Sequence, residues 1–348
     1  SWRGQAFQCT GLDLLQAWLS LMETAVVYTM LPMTLHDAPT PTIELLAATV
    51  AAVTGSWSLV GNGDNNAVDG AAVDAMRYSL SASEFGGIVV IGEGEKDEAP
   101  MLFNGEVLGM GKSIDWDVAV DPIDGTKLAA AGTKGAVSVI AASERGTMLD
   151  CHEVYYMKKL VSSGVARGVL DIDASATQNI NALAKALDIP VTDVRVAVIN
   201  KPNNFELIAE VQSAGAQWVR FEEGDIAMAV AAATDGSGVD LLLGIGGAPE
   251  GVVTAVAIRV LGGYMQGILA PQTPDEIERA LHAGYALDKK FELEDLVGGE
   301  RHIFVLTGVT DGILVDGVKE ADGELTIQSM VLDSALDGAR LVEVKVDA

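Results

Sequence analysis

The stretch Asp121-Pro122-Ile123-Asp124-Gly125-Thr126 places two carboxylates and a hydroxyl directly after Asp117–Val120, a run with the length and composition of a strand. Two aspartates three residues apart across a proline can direct both side chains into one pocket, and carboxylate oxygens are the ligands that Mg2+ and Mn2+ prefer. The hydroxyl of Thr126 could orient a water or a phosphate oxygen there. The same letters are also typical of an ordinary turn, because Pro presets φ, Asp bonds its own backbone and Gly supplies positive φ. Taken alone, the motif leaves both interpretations open.

Further acidic residues stand at predicted strand ends or helix starts on either side of this stretch. Asp69 precedes a helical pattern, and Glu93 and Glu95 alternate with glycines after Gly87–Ile91, a continuous apolar run of strand length. Glu250 follows a glycine-rich segment between a predicted strand and a predicted helix. Separately, each acidic residue is compatible with a helix cap, a first-turn charge or a solvated turn.

Ligand sites in layered α/β proteins collect beyond strand ends, so a common pocket is the sharper hypothesis for these six carboxylates. Like charges a few ångströms apart raise one another's pKa, and an empty pocket could not keep all of them ionised. Two or more divalent cations would remove that conflict. Paired metals would also bind a phosphoryl oxygen, ionise a water and stabilise a leaving alkoxide, which is the chemistry of phosphate monoester hydrolysis.

Composition sets the class of protein and excludes some partners. The chain has 348 residues, 49% of them hydrophobic, which suffices for one large or two ordinary α/β domains. The formal charge of -27 repels nucleic acid and anionic membrane, so we expect neither as a partner. Two cysteines and four scattered histidines indicate neither a disulfide framework nor a zinc site. A reducing compartment follows: the cytoplasm, or the plastid stroma in a photosynthetic eukaryote.

Strand and helix patterns alternate through the second half of the chain, and this alternation predicts a layered α/β architecture. We expect an N-terminal extension over residues 1–40, a half carrying the metal site over 41–175 and a half carrying the substrate site over 176–348. Within the extension, Asp13 and Glu23 interrupt the apolar run Leu12–Leu31, so it is predicted to be an amphipathic or core helix. The segment Glu153–Leu160 is predicted to expose its two lysines.

Five motifs, in this order along the chain, closely resemble those of the class II fructose-1,6-bisphosphatases, including the dual fructose-1,6-/sedoheptulose-1,7-bisphosphatases of cyanobacteria. The resemblance runs from about residue 43 to the end. Its motifs are Gly61–Ala72 (GNGDNNAVDGAA), Val90–Met101 (VIGEGEKDEAPM), Asp117–Thr126 (DVAVDPIDGT), Tyr156–Leu160 (YMKKL) and Gly244–Val253 (GIGGAPEGVV).

The resemblance implies a layered α/β sugar-phosphatase fold of the lithium-sensitive phosphatase superfamily, dependence on two or more Mg2+ or Mn2+ ions, and release of the 1-phosphate. We expect a homo-oligomer, either a dimer or a tetramer. One metal would be held by Asp69 and Glu93, and the other by Asp121, Asp124 and Glu250. Glu95 and Thr126 would position or activate the attacking water. The sugar bisphosphate would contact Asp124, Gly125, Thr126, Tyr156, Lys201, Glu223, Gly224, Asp225 and Gly247.

This chain departs from the family pattern at cationic positions. Asn65 stands where the family has a lysine, Asn203-Asn204 stands where it has Arg-His, and Glu223 replaces an aspartate. A charged hydrogen bond to phosphate contributes about 1.5–3 kcal/mol, so the loss of two cations would weaken bisphosphate binding by roughly a hundredfold or more. Two arginines are candidates to replace the lost charge: Arg220 and Arg259.

These observations lead to one leading hypothesis and two alternatives. The leading hypothesis is a metal-dependent phosphatase for fructose 1,6-bisphosphate and sedoheptulose 1,7-bisphosphate. Because of Asn65 and Asn203-Asn204, a phosphatase for a smaller or singly phosphorylated substrate stays open. So does a non-catalytic homologue that binds metal or sugar phosphate.

Overall fold

The computed structural model describes residue 35, residues 37–93 and residues 102–348. The predicted helix over Leu12–Leu31 and the predicted catalytic residue Glu95 lie outside these residues. The helices are α1 (Thr40–Trp57), α2 (Asn65–Ser81), α3 (Thr126–Ala131), α4 (Ala176–Leu187), α5 (Phe205–Ser213), α6 (Asp225–Ala233), α7 (Ala248–Leu261), α8 (Pro274–His282) and α9 (Leu293–Leu296). The strands are β1 (Gly87–Ile91), β2 (Val107–Leu108), β3 (Trp116–Asp124), β4 (Val137–Glu144), β5 (Tyr156–Ser162), β6 (Arg195–Ile199), β7 (Gln217–Phe221), β8 (Leu241–Gly247), β9 (Tyr264–Leu269), β10 (Phe291–Glu292), β11 (His302–Gly308), β12 (Lys319–Ala321), β13 (Glu324–Asp333) and β14 (Arg340–Asp347).

The described strands form two mixed sheets. The larger sheet has the order β12-β13-β11-β4-β3-β1-β2, with β14 on the other side of β13, and the smaller has the order β10-β9-β5-β8-β6-β7. The pairs β1–β3 and β6–β8 are parallel, so their carboxyl ends lie at the same edge of each sheet. The prediction of an α/β protein is confirmed. The division into 41–175 and 176–348 stays a prediction about domains.

Three apolar cores among the described residues show that helices and sheets alternate in layers. One core joins α1 and α2 to the large sheet, through residues such as Leu45, Met76 and Val120. A second core places α6 and α7 between the two sheets, where Val230 and Val256 are fully buried. A third packs α4 and α5 on the outer face of the small sheet. The central helices α6 and α7 therefore begin between the two sheets, beside their strand ends.

Helix α2 begins earlier than the sequence indicated. Asp64 is its N-cap and accepts a hydrogen bond from the amide of Ala67 at 3.1 Å, so the predicted opening at Asp69 is wrong. Asp69 lies one turn inside the helix, and its carboxylate reaches the side chain of Thr126 instead of capping the helix. Gly55 lies in the last turn of α1, where a β-carbon would lie 2.7 Å from Ala75 Cβ, so the glycine permits close packing of α1 on α2.

Two segments predicted as turns or loops are strand ends. Strand β3 continues through the opening motif to Asp124, and β8 continues through its glycines to Gly247.

The prediction that both lysines of Glu153–Leu160 are exposed is half wrong. Lys158 is exposed, but Lys159 retains only 1% of its accessible surface. Successive residues of a strand face opposite sides, and β5 lies in the middle of its sheet, so one of two adjacent lysines must face the interior. No helix among the described residues is long and apolar enough to cross a bilayer.

Candidate metal and phosphate site

One cavity of about 510 Å³ opens at the strand ends between the two sheets. Every predicted site residue that the structure describes lines it. These are Asp69, Glu93, Asp121, Asp124, Gly125, Thr126, Tyr156, Lys201, Glu223, Gly224, Asp225, Gly247 and Glu250. The geometry thus brings together residues that are up to 181 positions apart in the chain, from 69 to 250. Their individual roles stay predictions.

A bulge in β3 explains how both aspartates of the opening motif reach the cavity. Asp121 pairs with Val139 and Asp124 with Val137 on β4, so β3 carries one extra residue between these pairs. Side chains three apart on a regular strand face opposite sides, and one inserted residue restores the same side. Gly125 follows at φ 85°, a left-handed conformation suited to glycine, and α3 begins at Thr126.

Asp124 connects the opening motif to α6. Its Oδ2 accepts a hydrogen bond from the amide of Ile226 at 3.2 Å, so it satisfies one of the free N–H groups at the start of this helix. Burial raises the pKa of Asp124 to about 8, and the charges of Glu250 and Asp225 contribute to the increase. The charge of Lys159 acts to lower this pKa but does not offset the increase.

The other predicted metal ligands show the same electrostatic conflict. Burial raises the pKa of Glu93 to about 7, with contributions from Asp69 and Glu250. Burial, followed by the charge of Asp124, raises the pKa of Asp121 well above its ordinary value. The pKa values of Asp69 and Glu250 are also raised, chiefly by burial. Neighbouring carboxylates contribute to the raised pKa values of Glu93, Asp121 and Asp124, as expected of groups that crowd one another. That these carboxylates are metal ligands stays a prediction.

Two glycines make room for two of the carboxylates. A β-carbon on Gly247 would lie 1.6 Å from Glu250 Oε2, and one on Gly246 would lie 2.3 Å from Asp225 Oδ2. Glu250 Oε2 is buried and has no hydrogen-bond partner among the described residues. The glycine-rich end of β8 is therefore a cradle for side-chain carboxylates as well as a source of backbone amides.

Cations around the cavity differ from the sequence expectation. Arg220 pairs with Glu222 at 2.6 Å and Arg259 with Glu294 at 3.0 Å, and neither lines the cavity. Lys127, for which no role was predicted, lines it and pairs with Glu223 at 2.8 Å. Lys201 lines it with an exposed side chain. The position of Lys127 directly after Thr126 was a signal available in the sequence.

The asparagines at the family's cationic positions have different surroundings. Asn65 and Asn203 line the cavity. Asn204 is only 1% exposed, and its amide accepts from the N–H of Ile245 at 2.8 Å and donates to the carbonyl of Ile245 at 2.9 Å. Asn204 therefore fixes the glycine-rich end of β8 to the segment that follows β6.

The donor set fits hard divalent cations, although it is not drawn together around one. Among the described residues no three His, Cys, Asp or Glu side chains converge closely enough to hold an ion as they stand. The charged candidates are all carboxylates, their pKa values are raised by one another, and Glu250 Oε2 lacks a partner. Mg2+ and Mn2+ prefer carboxylate oxygens as ligands, and a bound ion would supply the positive charge that these buried carboxylates need.

The fold and the cavity define a class: a layered α/β protein with an acidic, glycine-cradled pocket at strand ends, the arrangement of an enzyme that binds divalent metal and phosphate. The chain belongs to the family described as bacterial fructose-1,6-bisphosphatase, glpX-encoded, whose model matches residues 40–346. The resemblance inferred from the five motifs is thereby confirmed.

Similar proteins cover almost the same length of chain. Two are named D-fructose 1,6-bisphosphatase class 2/sedoheptulose 1,7-bisphosphatase. The protein from Synechococcus sp. (strain RCC307) is 39% identical over 86% of this chain and 94% of its own. The protein from Synechococcus sp. (strain CC9605) is 39% identical over 88% of this chain and 96% of its own. A third of the same name, from Synechococcus elongatus, is 36% identical over 86% and 94%.

Proposed function

We propose that this chain is a metal-dependent phosphatase that hydrolyses the 1-phosphate of fructose 1,6-bisphosphate and also acts on sedoheptulose 1,7-bisphosphate. The observation that carries the proposal is the convergence of every described predicted site residue on one cavity. Membership of the bisphosphatase family supports the reaction, and the names of the cyanobacterial relatives support the two substrates.

Five carboxylates divide into two groups in this proposal. Asp69 and Glu93 would hold one Mg2+ or Mn2+ ion, and Asp121, Asp124 and Glu250 would hold a second. Bound there, the ions would polarise a phosphoryl oxygen and lower the pKa of a water. The hydroxyl of Thr126 donates to the carbonyl of Ile123 at 3.0 Å, which leaves its lone pairs to orient the attacking water. Glu95 would accept a proton from that water.

The remaining cavity residues bind and orient the sugar bisphosphate. The backbone of Gly125 and Gly247 lies at the starts of α3 and α7, where amide groups favour phosphate oxygens. Tyr156 and Lys201 offer a phenol and an ammonium group. The segment Glu223–Asp225 offers carboxylates that accept hydrogen bonds from sugar hydroxyls.

The proposal has further features, which concern the fold, the oligomeric state and the compartment. The fold is that of the lithium-sensitive phosphatase superfamily, with a metal-site half over 41–175 and a substrate-site half over 176–348. The protein acts as a homo-oligomer in the cytoplasm, or in the plastid stroma of a photosynthetic eukaryote.

Phosphate release from fructose 1,6-bisphosphate with Mn2+ tests the reaction. We expect turnover by the wild-type chain and a loss of at least about a thousandfold in Asp121→Ala, since the variant removes a ligand of the second metal ion, whose charge would stabilise the transition state. Release by the wild type no faster than by Asp121→Ala would refute the proposal. A panel of sugar mono- and bisphosphates measures specificity, and equal rates on both would favour the singly phosphorylated substrate instead.

That alternative is favoured by the two asparagines that line the cavity, Asn65 and Asn203. A non-catalytic homologue would show Mn2+-dependent thermal stabilisation without turnover, and Asn65→Lys with Asn203→Arg would then recover activity. Reversions that change neither KM nor turnover would exclude the missing cations as the cause.

A further inference from the structure

We propose that Lys159 is the fixed cation of this site: a positioning residue that holds Asp225 and the carbonyl of Gly247 and reduces the negative charge that metal ions and phosphate encounter. The inference rests on the proposed function only where KM is measured. The titrations with Mn2+ and phosphate do not require turnover.

Lys159 lies inside the protein and ends at the cavity wall. Only 1% of its surface is exposed, its Nζ forms an ion pair with Asp225 Oδ2, and it donates to the carbonyl oxygen of Gly247 at 2.9 Å. Asp225 and Gly247 both line the cavity. A single ammonium group thus connects the first residue of α6 to the last residue before α7.

These two helix starts carry the groups that the proposed reaction needs. In the first turn of α6 the amide of Ile226 donates a hydrogen bond to Asp124, and the first turn of α7 contains Glu250. Gly247, whose carbonyl accepts from Lys159, lies against the carboxylate of Glu250. Asp225, the ion-pair partner of Lys159, directly precedes the Ile226 amide that donates to Asp124. Lys159 is therefore placed to act on carboxylates that it does not touch.

Stability alone does not explain a lysine at this position. Taking an ammonium and a carboxylate out of water costs several kcal/mol per ion, and well-packed apolar residues often stabilise a fold equally well or better. The interior side of β5 is otherwise apolar, with Met157 and Val161 fully buried. The buried charge is best explained by what it does to the anionic cavity beside it.

Removing the ammonium changes the affinity of two ligands in opposite directions. Asp225 would lose its counter-charge, so the cavity would become more negative, attract Mn2+ more strongly and repel phosphate. A structural role would not produce this pattern, because a distorted site would bind both ligands more weakly. The sign of the two changes therefore separates an electrostatic role from a scaffolding role.

The experiment titrates the full chain with MnCl2 by calorimetry and then titrates the Mn2+-loaded protein with inorganic phosphate. For Lys159→Met we expect Kd for Mn2+ to fall about tenfold and Kd for phosphate to rise about tenfold. KM for fructose 1,6-bisphosphate should rise by a similar factor. Lys158→Met is the matched control, because Lys158 is the neighbouring, exposed lysine on the opposite face of β5 and donates to the carbonyl of Ile172 at 2.7 Å. It should stay within about twofold of wild type, as expected of an exposed charge.

A second pair of variants keeps the test decisive if Lys159→Met does not fold. Asp225→Asn should weaken Mn2+ binding about tenfold, and the double variant Lys159→Met/Asp225→Asn, which has the wild-type net charge, should bind Mn2+ within about threefold of wild type. Double-variant affinity equal to that of Asp225→Asn would overturn the inference, as would Lys159→Met weakening both ligands or neither. If the titrations follow these expectations and the wild type releases no phosphate, the proposed function fails and the role of Lys159 stands.

Discussion

At the scale of single residues, the site depends on positions where a side chain is absent as much as on those where one is present. Gly246 and Gly247 leave space that the carboxylates of Asp225 and Glu250 fill. Gly247 has φ -66°, so alanine is compatible with its backbone, and any effect of substitution comes from the lost space. A substitution at Gly247 therefore tests the displacement of Glu250 without adding backbone strain.

Gly247→Ala should displace Glu250, because the new β-carbon would lie 1.6 Å from its Oε2. A misplacement of about 1 Å in a catalytic group can reduce turnover about a hundredfold, and we expect a loss of that order in kcat/KM with weaker Mn2+ binding. Gly70→Ala is the control: it lies in α2 with no atom near its added β-carbon, and it should keep its activity and gain about 0.5–1 kcal/mol of stability. Normal Mn2+ affinity in Gly247→Ala would contradict the cradle.

At the scale of elements, the ends of β3 and β8 carry residues that line the cavity, although their sequence patterns predict turns. Pro122 and the glycines after Leu243 are typical turn residues, so local propensity favours a loop. Partner strands overrule it: β4 pairs with β3 as far as Asp124, and β5 pairs with β8 as far as Gly247. A single sequence shows the residues of a bulge but not the neighbouring strand that creates it.

Asn204 holds the end of β8 through side-chain hydrogen bonds, in addition to the pairing of β8 with its neighbouring strands. Asn204→Ala removes two hydrogen bonds to Ile245 and leaves buried backbone groups without partners, so we expect a loss of about 2 kcal/mol in the free energy of unfolding and a raised KM. Urea denaturation measures the first and steady-state kinetics the second. Asn181→Ala removes only an exposed bond to Thr177 within α4, and should change stability by less than about 0.5 kcal/mol. Equal stability of the two variants would show that Asn204 does not hold this strand end.

At the scale of the whole molecule, the alternation of strands and helices and the family motifs predicted the architecture and the set of residues at the cavity. Burial was harder to predict. Lys158 and Lys159 look equivalent in sequence, and Asn203 and Asn204 do also, yet one member of each pair is exposed and the other is 1% exposed. Which face of a strand or turn points inward depends on the layers packed against it, and those layers are formed by residues far away in the chain.

The carboxylates buried between the layers also predict how the stability of the metal-free protein depends on pH. The folded-state pKa values of Glu93, about 7, and Asp124, about 8, lie above the ordinary values of 4.5 and 3.8. The folded protein therefore binds more protons than the unfolded chain between these limits, so the stabilisation is complete below about pH 4 and is lost as pH rises toward 8. In EDTA and high salt, which screens the surface charge, we expect the midpoint of thermal unfolding to fall over this range.

Mn2+ should reverse that dependence, because the ion binds deprotonated carboxylates and stabilises the folded state more as pH rises. Glu93→Gln should flatten the decline seen in EDTA, since it removes one of the two titrating groups, whereas Glu206→Gln at an exposed position of α5 should leave it unchanged. A midpoint in EDTA that rises from pH 5 to pH 8 would mean that the carboxylates are compensated without metal. The cavity would then have no electrostatic need for the ions, and the buried ammonium of Lys159 would be the first candidate for the charge that replaces them.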